Sequence, residues 1–164
     1  MTPPRSEGTN PEDVFYEAAA RFLDAQISTG DVLDNKNANA FSVGSTVLPL
    51  TFGFLSLGST NVPTIAEIAL GLALFFYLLL LIFAFRASLI RALEYRPDIP
   101  TLHKHSGSFV GDDLRGWVAR EYMASTEGNQ PILERKARWV GAATVALYLE
   151  SLALSVAALL TLLL

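Results

Sequence analysis

From Asn37 to Ala66 no side chain is charged, and after the single acid Glu67 the exclusion resumes through Phe85. A soluble helix keeps a charged face for water, so segments apolar around their whole circumference need either a protein core or a lipid bilayer. Three stretches have the length for a bilayer: Ala40 to Gly58, Ile65 to Phe85 and Trp139 to Leu164. Each is near the roughly 20 residues of helix that cross a hydrocarbon core of about 30 Å.

All twelve Lys and Arg residues lie in residues 1–36 and 86–138. The positive-inside rule therefore places both segments in the cytoplasm, and the C-terminus at the outer face. The expected fold is all-α. It is a polytopic membrane protein with three transmembrane helices (40–58, 65–85, 139–164) and a small cytoplasmic helical bundle from 11–36 and 86–138, in the inner or plasma membrane. With no Cys in the chain, a disulfide framework and a thiolate metal site are excluded. Residues 1–36 lack the basic and short apolar regions of a cleavable signal, so the first span is expected to remain as an anchor. Of the basic residues, 3 lie in the tail against 7 acids and 9 in the loop against 7 acids. Anionic lipid or a phosphorylated ligand would therefore be met between the second and third spans.

Residues 1–10 read as a disordered tail. Asn10-Pro11-Glu12-Asp13 then writes a helix start: Asn as N-cap, Pro in the first turn, and acids at the positive end of the dipole. Val14, Phe15, Ala18, Ala19, Phe22, Leu23 and Ile27 give this helix an apolar face, expected to pack on the cytoplasmic loop. Ser28-Thr29-Gly30 is expected to loosen the helix. In the first span, Pro49 should cause a kink. Gly44, Ser45, Thr46 and Gly53 suit close helix packing, with a hinge as the alternative.

After the second span the helix is expected to continue through Arg86, Arg91 and Arg96 until Pro97 and Pro100 stop it. Thr101 to Gly111 reads as a loop, and Asp112 as the cap of a short helix bearing Leu114, Trp117, Val118 and Tyr122 on one face. Gly128-Asn129-Gln130-Pro131 reads as another stop, with a new helix from Ile132 into the third span.

Glu150 falls close to mid-membrane on a stripe of Ala143, Ala146, Ala153 and Ala157, where an ionisable group is costly. It reads as a protonated acid bonding across the bundle, or as a subunit-contact or pore-lining residue. Glu67 reads as interfacial. His103-x-His105 with Asp112 and Asp113 is the only cluster of ligand-type side chains, and it lacks a third fixed ligand. No phosphate-binding GK[ST] loop, GxSxG elbow or HExxH helix occurs. Enzymatic activity is disfavoured, and no metal, cofactor or nucleic-acid partner is expected.

Leu33-Asp34-Asn35-Lys36-Asn37-Ala38, immediately before the first span, resembles the I/L-D-x-K-A-type junction of the small transmembrane effectors of Pycsar antiphage systems and the related SLATT membrane proteins. Asn37 stands where that family commonly has Ala. The layout is similar over nearly the whole chain: tail helix, hairpin, cytoplasmic segment and a terminal span. The resemblance implies a homo-oligomeric effector that senses a cyclic nucleotide from a partner cyclase and impairs the membrane. On that scheme Asp34 and Lys36 are the junction motif. Arg115 and Arg120 would hold the phosphate, Trp117 or Tyr122 would stack on the base, and Glu150 would support assembly. Read without the resemblance, Lys36 snorkels at the interface and Asp34 pairs with a loop Arg. The rival functions are a noncatalytic scaffold subunit and a small channel component.

Overall fold

The computed structural model describes residues 10–58, 64–90, 92–108 and 112–163, without the side chains of residues 50, 54–58 and 112. The expected tail at Met1–Gly8 and the loop between the first two spans lie outside the described residues. Every regular element described is an α-helix: α1 (Pro11–Gly58), α2 (Thr64–Ser88), α3 (Ile99–Ser106) and α4 (Asp112–Leu163). Helix α1 opens as its sequence dictates, with the Asn10 side chain accepting the Glu12 N–H at 3.3 Å.

The expected stop at Gly128-Asn129-Gln130-Pro131 is absent, and neither Ser28-Thr29-Gly30 nor Pro49 ends a helix. Helix α1 runs through Ser28-Thr29-Gly30 and Pro49, and α4 runs through Gly128-Asn129-Gln130-Pro131. The Thr29 hydroxyl folds back onto the Ala25 carbonyl at 2.8 Å. Gly30 is buried, and a Cβ there would lie 2.8 Å from Leu93 Cδ1. Its glycine serves close packing rather than a chain break.

Conversely, α2 stops at Ser88, and the expected helical extension through Arg96 does not form. Arg91 lies outside the described residues. The backbone beyond it finds its partners on α4 instead. The fully buried Asn129 accepts the Glu94 N–H and donates to the Glu94 carbonyl, both at 2.8 Å. The buried Ser125 hydroxyl accepts the Arg96 N–H at 3.2 Å. Two residues of extended chain rise about 6.6 Å and one helical turn about 5.4 Å, so residues 94 and 96 match side chains one turn apart. The expected loop at Thr101–Gly111 holds α3. Asp98 caps it by accepting the Thr101 N–H at 3.2 Å, with Pro100 in its first turn. Asp98-Ile99-Pro100 is thus a helix start rather than a stop.

The chain divides into two compact units. The polar unit comprises Met1–Gly30 and Ala92–Leu133. Within it α1 and α4 run parallel: Asp13 pairs with Arg115, Tyr16 packs on Tyr122, and Gln26 donates to the Thr126 carbonyl at 3.1 Å. Of the expected apolar face of α1, Ala19 and Leu23 are buried, but Val14, Phe15 and Phe22 are 53%, 45% and 65% exposed. The buried line turns onto Gln26 and Gly30.

The apolar unit comprises Asp31–Arg91 and Glu134–Leu164. Here too α1 and α4 run parallel, through Asp34 with Lys136 and Gly44 with Leu147 and Glu150. Helix α2 runs antiparallel to both. Asn37 donates to the Ala84 carbonyl at 3.1 Å, Ser45 and Tyr77 share a hydroxyl pair at 3.3 Å, and Phe83 packs on Trp139. The buried face of α2 is Ala66, Ala73, Leu80, Ala84 and Ala87, a seam of mostly small residues that lets helices approach closely. Among the described residues two helices are long and apolar enough to cross a membrane: α2, and the helix at Asp113–Leu163. Only 17% and 28% of their most apolar windows are buried, whereas a soluble core helix would be mostly covered.

Asn129→Ala would strip both partners from Glu94 and should destabilise the polar unit by about 2–6 kcal/mol, at 1–3 kcal/mol per unsatisfied group. Faster amide exchange at Glu94 together with a lower melting temperature is the expected reading in detergent. Unchanged exchange would deny Asn129 this role.

Candidate functional site

The polar unit contains a cavity of about 600 Å³ lined by Arg96, Pro97, Asp98, Thr101, His105, Trp117 and Glu121. Its size lies within the usual range for small-molecule sites. Arg96 is carried there by the extended segment that Asn129 and Ser125 hold. Asp98 and His105 come from the start and end of α3, and Trp117 and Glu121 from adjacent turns of α4. His105 stacks on Trp117 with ring centroids 4.6 Å apart and 16° between the planes. Its Nδ1 lies 2.9 Å from the Thr101 carbonyl. Arg96 pairs with Glu94 at 2.9 Å, both side chains remaining partly exposed. The rim therefore offers a guanidinium and an imidazole toward an anion, and two carboxylates toward hydrogen-bond donors.

The residues expected from the sequence are distributed differently. Among the four suggested for a nucleotide, only Trp117 lines this cavity. Arg115 is paired with Asp13, and Arg120 is exposed. Tyr122 is enclosed between Tyr16 and Tyr95, each 5.8 Å away. Burial, then hydrogen bonding to Tyr95 and Tyr16, pushes its phenol above the ordinary value. Both ring contacts are tilted, at 36° and 56° between the planes. Among the described residues His103, His105 and the acids do not gather into a group able to hold a metal ion. Arg96 and Asp98 carry no ligand signal in the sequence, because Pro97 and Pro100 read as the end of a helix.

A second polar feature lies in the apolar unit. Glu150 is fully buried, and neither carboxyl oxygen has a hydrogen-bond partner. It faces Gly44 of the same chain, where a Cβ would lie 3.1 Å from both Glu150 Oε2 and Leu80 Cδ1. The stripe of Ala143, Ala146, Ala153 and Ala157 is buried with it. The expected hydrogen bond across the bundle is not formed, and the carboxyl lies on a small-residue face packed within the chain. The junction residues also belong to this unit. Asp34 pairs with Lys136 at 2.7 Å rather than with an Arg, and Lys36 is exposed.

Two outcomes follow from these geometries. Hydrogen bonding from Thr101 holds Asp98 below the ordinary 3.8, so its contribution to α3 is complete above that value and lost as pH falls through the lower, folded-state value. In a titration the Thr101 amide should shift with a midpoint below 3.8, and Asp98→Asn should abolish that step; a midpoint at or above the ordinary value would contradict the cap. At Gly44, substitution by Ala requires the ends of two flexible side chains to give by a few tenths of an ångström. Leu there should cost about 1–3 kcal/mol by overpacking, read as a lower melting temperature for Gly44→Leu than for Gly44→Ala.

Compared with family models, curated proteins and solved structures, the chain has no match.

Proposed function

We propose that this chain is a three-span membrane effector of antiphage nucleotide signalling. A cyclic nucleotide binds its cytoplasmic part, and the spans respond by changing their assembly and impairing the membrane. The N-terminus and the Arg86–Arg138 segment lie in the cytoplasm, with Ala40–Gly58 as the first of the three spans. The charge-free sequence of that stretch, the two long apolar helices and the antiparallel course of α2 against α1 and α4 support this topology.

The observation that carries the functional reading is that α4 both lines the 600 Å³ cavity, through Trp117 and Glu121, and bears the unpartnered Glu150. A cyclic nucleotide would place its phosphate toward Arg96 and His105. Its base or ribose donors would meet Asp98 and Glu121, against the Trp117 edge of the cavity. This reading moves the ligand contacts from Arg115, Arg120 and Tyr122 to Arg96 and His105 and retains Trp117. The scaffold alternative draws on one feature, the exposed Val14, Phe15 and Phe22, and requires a co-purifying protein.

Cells expressing the chain should lose membrane potential when one of a panel of 3′,5′-cyclic mononucleotides is supplied. Arg96→Gln should weaken the response about 10- to 100-fold in nucleotide concentration, the loss of one charge-assisted bond to phosphate. Arg115→Ala should leave it nearly unchanged, since an exposed pair contributes little. Absence of depolarisation with every nucleotide of the panel would remove the effector reading.

A further inference from the structure

In the apolar unit, α1 and α4 leave an open groove of about 580 Å³ between them. Its α1 wall runs from Leu33 to Val43, ten residues or about 15 Å at 1.5 Å per residue. The wall begins ahead of the apolar stretch that starts at Ala40 and runs into it. Small side chains open the groove: Ala40 on α1, and on α4 Gly141, where a Cβ would meet nothing within 4 Å.

The polarity along the groove is graded. Lys36, the last charge before the charge-free stretch that begins at Asn37, and Asn39 within that stretch stand at its first turns. Farther along, the Thr144 hydroxyl is committed to the Val140 carbonyl at 2.9 Å. The two lysines near this end differ in their commitments. Lys136 is mostly buried and taken by Asp34, whereas Lys36 is exposed and makes no ion pair among the described residues. The groove thus has an available ammonium near one end and behind it, over the seven residues of α1 from Lys36 to Val43, an apolar trough about 10 Å long.

We propose that this groove binds one anionic phospholipid of the cytoplasmic leaflet, its phosphate on Lys36 and an acyl chain along Ala40, Val43 and Gly141. The proposal rests on the membrane reading given above. The charge on Lys36 selects an anionic over a zwitterionic headgroup, since basic side chains at the cytoplasmic ends of spans attract anionic lipid. The trough excludes a free phosphate as the natural occupant, because the apolar length would then be left uncovered.

The test uses the full chain. It is extracted in detergent, exchanged into an equimolar mixture of phosphatidylglycerol and phosphatidylcholine, and its retained lipid is counted by native mass spectrometry. Phosphatidylglycerol should be retained about five-fold over phosphatidylcholine, one favourable lysine contact. Lys36→Gln should abolish that preference and Lys36→Arg should restore it. Gly141→Leu, which fills the trough, should lower retention of both lipids. Equal retention by the native chain, or an unchanged preference in Lys36→Gln, overturns the site. A Val43→Cys and Gly141→Cys pair that cross-links between two copies also overturns it, by giving the groove to a second chain. Washing membranes with alkaline carbonate separates the two levels. A chain that washes off defeats the membrane reading and the site together, while one that stays and shows no lipid preference defeats the site alone.

Discussion

Close backbone approach along α1 governs the packing within each unit of this chain. The buried positions Ala19, Leu23, Gln26 and Gly30 in the polar unit, and Asn37, Ala40, Gly44 and Leu48 in the apolar unit, each follow steps of three or four residues, the repeat that keeps a stripe facing a neighbouring helix within its unit. Most of these side chains are small or carry an amide. A small residue lets the partner helix come close, and an amide can then reach a backbone carbonyl, as Gln26 does at Thr126 and Asn37 at Ala84. In an apolar solvent such packing and hydrogen bonding replace the hydrophobic effect as the force between helices. The large apolar side chains face outward, among them Leu72, Phe75, Leu78, Ile82 and Phe85 on α2.

This packing accounts for what the sequence could and could not disclose. The start at Asn10-Pro11 and the apolar character of α2 were legible, since a cap and a charge-free run are local statements. Gly30 and Gly128-Asn129-Gln130-Pro131 were misleading. Glycine and proline commonly punctuate a chain, but the fate of Gly30 was decided by Leu93 and that of Asn129 by Glu94, both remote in sequence. The same remoteness hid the cavity. Trp117 stood out by type, whereas Arg96 and Asp98 reach the cavity only because Asn129 and Ser125 prevent the preceding segment from continuing α2.

The basic residues sort by commitment rather than by number. Arg115 and Lys136 are each answered by an acid on α1, Asp13 and Asp34 respectively, and Arg96 is answered by Glu94 two residues away. The Lys136 pair carries the highest stakes, because the Lys136 side chain is only 11% exposed and removing Asp34 would leave a mostly buried lysine without its acid. Arg96 differs, since its pair is solvent-exposed and contributes little. A phosphate could compete for that guanidinium at small cost.

A ligand shifts a conformational equilibrium only by its difference in affinity between two arrangements. On the effector reading, the arrangement described here is the one with the small-residue seam closed, and it carries a specific penalty: a carboxyl against Gly44 with neither oxygen bonded. Buried polar groups without partners are costly. A second arrangement that gave Glu150 a partner or water would therefore recover free energy while losing seam contacts. The penalty narrows the gap between the two arrangements, and with it the affinity difference that a nucleotide would have to supply. In this way Glu150 would belong to the response even though no ligand or neighbouring copy reaches it in the closed seam.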